Sequence, residues 1–215
     1  IRTLAGAATG LSNAFGVAVT HPFGQDELFV ANFPASILVY PLTANGNSAP
    51  IRKLSGAATG LAVPFGLVVD TVNDELVVVN NATNSNSITV YNRTATGNAA
   101  PIRKLAGALT LLSNPTGVVV DTVNNELVVS NNNNSITVYS RTQTGNTAPI
   151  RTLSGAATGL SGPFGLVVDT VNNELLVANF GNNSITVYSG AASGNTPPIR
   201  KLSGAATLLT GPSGL

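Results

Sequence analysis

Residues 162–189, GPFGLVVDTVNNELLVANFGNNSITVYS, occur four times along the chain with small changes, and the other residues join one copy to the next. The copies register on a preceding Ile-Arg pair at Ile1, Ile51, Ile102, Ile150 and Ile199, in steps of 50, 51, 48 and 49 residues. Each copy reads as three strands. Residues 165–169, Gly-Leu-Val-Val-Asp, form a short β-branched run whose side chains are expected to be buried on both faces. Thr170-Val-Asn-Asn173 is a turn, because Asn tolerates left-handed backbone angles and bonds its own main chain. Residues 174–179 make a second apolar strand, and 180–183 interrupt the run. In the third strand, 184–189, Ile185 and Val187 alternate with Thr186 and Tyr188. A three-stranded meander cannot bury two faces by itself, whereas stacked copies can.

The Ile-Arg-(Thr/Lys)-Leu-(Ser/Ala)-Gly segment reads as a fourth strand, entered through a Pro-containing turn such as 145–149. It carries the densest charge, as expected of an exposed edge kept from pairing with strangers. Spacing from Ile-Arg to the next first strand is constant (Ile51 to Phe65, Ile150 to Phe164), as is that from the third-strand Tyr to the next Ile (Tyr40 to Ile51, Tyr188 to Ile199). The loops between second and third strands differ in length among the copies, with Glu to Tyr spanning 13, 16, 13 and 14 residues, so they do not set the frame. A fixed four-strand unit with a period near 50 predicts an all-β fold, a β-propeller of four-stranded antiparallel blades. Residues 1–14 then hold the fourth strand of a preceding blade with its connection. Blades occupy 15–64, 65–115, 116–163 and 164–212, and 213–215 open a further blade, all within a single propeller domain or fragment. The expectation is four full blades from a larger ring, read as six-bladed, in a longer repeat protein.

The motif Pro163-Phe-Gly165, Leu166-Val-Val-Asp169, Asn173-Glu-Leu-Leu-Val-Ala178 and Asn183-Ser-Ile185 with Val187 and Tyr188 resembles that of the NHL-repeat β-propellers. The likeness covers all four copies. Asn32, Asn80, Asn131 and Asn179 stand where that family usually carries Asp, and Ser184 where it carries Arg.

Composition narrows the function. The chain of 215 residues is 43% hydrophobic but only 9% charged, so its polarity comes from Asn, Thr, Ser and Gly. Without Cys there is neither a disulfide nor a thiolate metal site. A net charge of +1 sets up no field for nucleic acid, and the longest apolar runs are strand-length, too short for a membrane helix. Some NHL propellers bind RNA through a basic face. Here Arg2, Arg52, Arg103, Arg151 and Arg200 recur on edge strands, offset by nine acidic residues and without interleaved aromatics, which argues against nucleic acid.

Asp70, Asp121 and Asp169 end the first strands of copies two to four. They could ring a channel mouth and hold a hard cation, or each could accept backbone N–H groups from the turn behind it, which is the simpler reading. Glu27, Glu75, Glu126 and Glu174 open the second strands and are read as solvated or paired with the repeated Arg. His21, the single histidine, reads as a solvated turn residue, having no Cys or acidic cluster beside it. Sequons at Asn81, Asn92, Asn133 and Asn182 are matches that so Asn-rich a chain produces by chance.

The expected contact surface is the propeller face where second-to-third-strand loops and fourth-to-first-strand connections emerge. Its candidate residues are Asn80, Asn81, Thr83, Asn84 and Asn86, then Asn131, Asn132, Asn133 and Asn134, then Asn182 and Asn183, with Phe33 and Phe180 as apolar platforms. Amides donate and accept, which suits sugar hydroxyls or peptide backbone; the bland alternative is that Asn is merely abundant in turns. These loops hold no ionisable residue, so no general acid, base or nucleophile assembles there, and neither a cofactor nor a metal is expected. The chain is thus read as a non-enzymatic scaffold or binding module, extracellular or at a cell surface. Its partner is a protein or glycan, with self-association or further blades of the same protein as additional contacts. The alternative is an enzyme-like propeller of lactonase or lyase type whose active residues lie in other blades.

Overall fold

The computed structural model describes residues 2–20, 26–83 and 85–215; His21 and Asn84 lie outside them. The first sheet holds β1 (Ala14–Thr20), β2 (Glu27–Asn32), β3 (Ser36–Pro41) and β4 (Arg52–Ser55). The second holds β5 (Pro64–Asp70), β6 (Glu75–Asn80), β7 (Ser87–Asn92) and β8 (Arg103–Ala106). The third holds β9 (Pro115–Asp121), β10 (Glu126–Asn131), β11 (Ser135–Ser140) and β12 (Arg151–Ser154). The fourth holds β13 (Pro163–Asp169), β14 (Glu174–Asn179), β15 (Ser184–Ser189) and β16 (Arg200–Leu202). Each is a four-stranded meander with neighbours in chain order, the blade of a β-propeller. Two compact units divide the chain, Ile1–Lys104 and Leu105–Leu215, with β8 at their junction. The connections before each first strand contain a single 3₁₀ turn, such as Ala57–Thr59 or Ala156–Thr158, and nothing longer.

Second and third strands begin and end where the apolar pattern places them, because both are interior to their sheets and buried throughout or nearly so. First strands differ from expectation. They are edge strands, and only part of each is buried: Leu67 is sealed, Val68 and Val69 are half-exposed, and Val17 and Val19 of β1 are exposed. They also start earlier, at the Pro in β5, β9 and β13 and at Ala14 in β1, with a register shift before the apolar triplet. The shift places Gly117 against the next first strand, where an added Cβ would lie 2.4 Å from the Phe164 carbonyl oxygen. Only glycine permits that approach without moving backbone.

Of the fourth strands, β4, β8 and β12 are not the open edges that their charge suggested, whereas β16 is exposed along its length. Leu54 bridges in parallel to Gly97 from the next blade, with Ser55 N–H donating to the Gly97 carbonyl and Gly97 N–H to the Lys53 carbonyl. Leu153 and Gly194 repeat the arrangement in the second unit. The connection between third and fourth strands of each blade thus covers the preceding blade's edge, which removes the pairing hazard by bonding rather than by repulsion. The Arg of each fourth strand also pairs with the Glu that opens the second strand of its own sheet. Arg52 reaches over β3 to form a two-pronged pair with Glu27, as do Arg103 with Glu75 and Arg151 with Glu126.

Each unit buries its own core. In the first, Phe29, Ile37, Leu54, Leu76, Val78 and Tyr91 form one cluster between the two sheets. In the second, Ile136, Leu153, Leu166, Val177 and Tyr188 do so.

Candidate functional site

Two faces carry the polar chemistry of the blades. On one, each first-strand Asp closes its own turn. Asp70 Oδ1 accepts from Val72 N–H and Asn73 N–H at 3.0 and 3.2 Å, and Oδ2 accepts from the Asn73 side chain at 3.1 Å. Asp121 and Asp169 repeat this with Asn124 and Asn172. The Asn172 amide and main chain hold the Asp169 carboxyl below its ordinary value. Both oxygens of each Asp are therefore engaged locally, and among the described residues no three His, Cys, Asp or Glu side chains group as metal ligands.

Beside these turns sit the Glu–Arg pairs. Arg93 adds to the first of them, donating from Nη1 to Glu27 at 2.7 Å and from Nε to Asp74 at 2.6 Å. Hydrogen bonding from Arg52 lowers the Glu27 carboxyl below its usual range, aided by both guanidinium charges and opposed by burial. In the fourth blade Gly190 and Asn173 stand where the second has Arg93 and Asp74, and Arg151 donates instead to the Gly190 carbonyl. Both oxygens of Glu27, Glu75 and Glu126 accept from an Arg of the same sheet, whereas Nε of Arg52, Arg103 and Arg151 is buried without a hydrogen-bond partner.

The opposite face is built from loops between second and third strands and from the connections into first strands. Its bonding separates the candidate asparagines into two groups. Asn80 and Asn131 are wholly buried and belong to the frame, so they are not surface contacts. Asn80 accepts from Ala62 N–H and donates to Thr89 Oγ1, each at 3.0 Å. Asn131 bonds Ser113 N–H and Thr137 Oγ1 in the same way, and Asn179 bonds Ser161 N–H and Thr186 Oγ1. An amide can accept from one chain segment while donating to another, so Asn serves where a carboxylate could only accept.

The second group lies at the surface. Thr83, Asn132, Asn133, Asn134, Asn182 and Asn183 are exposed, while Asn81 and Asn86 are half-buried. Several also brace the face: Asn134 accepts from Gly162 N–H at 2.7 Å, Asn183 from Gly211 N–H at 2.8 Å, and Asn182 donates to the Gly159 carbonyl at 3.1 Å. Phe33 and Phe180 are 40% and 52% exposed, and the Phe180 ring centre lies 5.6 Å from that of Phe164. No ionisable residue occurs in the loops 33–35, 81–86, 132–134 and 180–183, or in the connections 56–63, 107–114, 155–162 and 204–211.

Residue-type reasoning missed three members of this face. Leu109, Leu111 and Leu208 are 58%, 52% and 88% exposed. The signal was present in the repeat itself, since Leu109 replaces the Ala of the other copies and Leu111 and Leu208 replace the Gly of Gly10, Gly60 and Gly159.

No protein-family model matches the chain, and no curated protein matches it. Among solved structures, the fold is similar to a chain in "Crystal structure of Nidogen/Laminin Complex", with a TM-score of 0.70 and 19% sequence identity. The match covers 95% of this chain and 68% of that one. At that identity the likeness establishes a shared propeller fold.

Proposed function

We propose that this chain is a non-enzymatic binding module of NHL-like blades that presents its uncharged loop face to a protein partner, outside the cell. The observation carrying the reading recurs in each unit by itself: an exposed Phe, Phe33 in the first and Phe180 in the second, stands in a loop between second and third strands, and such loops in each unit carry amides and no ionisable group. Exposed aromatic side chains in a polar surround are what interface centres use, and the amides can pair with a partner's backbone. The structural similarity to a chain of a nidogen/laminin complex supports protein binding as a use for this fold. The extracellular placement rests on low charge and an Asn-, Thr- and Ser-rich surface. Among the described residues no helix is long and apolar enough to cross a membrane.

The test immobilises the chain and measures capture of secreted proteins and arrayed glycans, before and after residues 81–86 are replaced by a two-residue turn. Expected is a protein ligand whose affinity falls about tenfold, roughly the 1.4 kcal/mol attached to one lost polar or aromatic contact. Full binding after that replacement and the equivalent shortening at 132–134 and 180–183 would place the site elsewhere. Glycan capture alone would change the partner class.

A further inference from the structure

The two units differ at one interior place, and the second holds a cavity there. In the first unit Phe29 packs in the core, and the Arg93 guanidinium gives Nη1 to Glu27 Oε2 at 2.7 Å and Nε to Asp74 at 2.6 Å. By the repeat, Val128 of the second unit corresponds to Phe29, Gly190 to Arg93, Asn173 to Asp74 and Asp121 to Thr20. A cavity of about 10 Å³, room for one water-sized group, lies against Val128, Gly190, Asp121, Glu126, Arg151 and Glu174. Relative to the first unit, this place has exchanged two large side chains for small ones, lost a guanidinium and gained a carboxylate. Even with Arg200, which pairs with Glu174, it stands one positive charge short. Each Glu126 oxygen accepts one N–H, both from Arg151, whereas Glu27 takes a third N–H from Arg93. A carboxylate has about four lone pairs, so Glu126 keeps capacity for a further donor.

We infer that this cavity is a binding site for a guanidinium group, presented edge-on by an arginine side chain or a free guanidine. Charge calls for a cation, because a buried carboxylate short of a counter-charge is costly. Size admits a single nitrogen beside Glu126, which is the share of Arg93 that Glu27 receives in the first unit. A hard metal ion would need several oxygens to itself, but those of Asp121 accept from its own turn and those of Glu126 from Arg151. An N–H donor can share an oxygen that already accepts one. The walls decide between cations: Val128, Val168 and Leu175 are apolar, which suits the flat, weakly hydrated guanidinium better than the strongly hydrated ammonium. Glu126 begins β10 and the loop 132–134 follows its end, so this site is separate from the loop contacts proposed above.

The experiment titrates ethylguanidinium into the isotope-labelled full chain and follows the Leu175 and Ser189 amides by NMR. Expected is a saturable shift with a dissociation constant of about 1 mM or tighter, and at least tenfold weaker binding of methylammonium and of urea, the neutral near-isostere. Gly190→Arg with Asn173→Asp supplies the first unit's own guanidinium and should weaken binding at least tenfold. The two changes go in together because the Asn173 side-chain oxygen lies 2.3 Å from where a Cβ on residue 190 would stand. Val128→Phe closes the cavity from the opposite wall and should have the same effect, which keeps the test open if the paired variant does not fold. The same shift with acetyl-Gly-Arg-Gly-amide assigns an arginine side chain as the source, and a shift with ethylguanidinium alone assigns a free guanidine. No saturation by about 20 mM overturns the inference, as does equal binding of urea or methylammonium, or undiminished binding in whichever variant folds. Each of those results leaves loop-dependent capture of a protein untouched.

Discussion

Arg93 Nη1 lies 2.7 Å from Glu27 Oε2, joining two residues that stand 66 positions apart in neighbouring sheets. Glu27 is 3% exposed and Arg93 8%, and Arg52 grips the same carboxylate from its own sheet at 2.5 and 3.0 Å. Removing one partner of such a buried group leaves the others uncompensated. Glu27→Gln should destabilise the chain by about 3 kcal/mol, read as a lower urea midpoint with little change in slope.

The same carboxylate sets an acid limit. Its folded-state pKa lies below the ordinary 4.5, chiefly through hydrogen bonding from Arg52. A group lowered on folding stabilises fully above its unfolded value, and that stabilisation is lost as pH falls through the folded value. Urea midpoints should therefore hold steady above 4.5 and decline below it. Glu27→Gln should flatten part of that decline.

Tyr91 and Tyr139 set the alkaline limit. Burial pushes both phenols up to about 12 from 10.0. Here the sign reverses: stabilisation is whole below 10.0 and disappears as pH rises toward about 12. Phenolate absorbance should accordingly appear late and together with unfolding. Tyr91 Oη also donates to the Thr59 carbonyl at 2.7 Å, so Tyr91→Phe should cost about 1–2 kcal/mol by leaving that carbonyl unpaired.

Asn131→Ala should cost about 2 kcal/mol, because Ser113 N–H and Thr137 Oγ1 both lose their partner in a site with no water access. Asn132→Ala, one residue along and exposed, should move the melting temperature by no more than about 1 °C. Equal effects at the two positions would contradict the division of this loop into frame and surface.

Gly117→Ala tests the close approach of consecutive first strands. The new Cβ would stand 2.4 Å from the Phe164 carbonyl oxygen and 2.9 Å from Ser130 Oγ, and the nearer atom is backbone that cannot swing aside. A loss of about 2–3 kcal/mol is expected. Alanine at Gly46, which has open space around its Cβ, should cost less and through its φ of 63° alone.

The sequence by itself determined the strands and their grouping. Glu75–Asn80 and Ser87–Asn92 lie where the apolar runs and turn residues put them, because those signals act within a few residues of the strand they define. It also determined that the loops between second and third strands are polar and uncharged in every copy, since each copy repeats the same order. Tertiary structure decided which of two adjacent asparagines is frame and which is surface: Asn131 is sealed by an N–H eighteen residues away, Asn132 is not, and the two are chemically identical in the chain. It decided that the charged strands β4 and β12 are covered, because the covering glycines, Gly97 and Gly194, arrive from the following blade. It also showed Leu111 to be strained and exposed, since φ and burial are set by the turn and its neighbours rather than by the side chain's own preference.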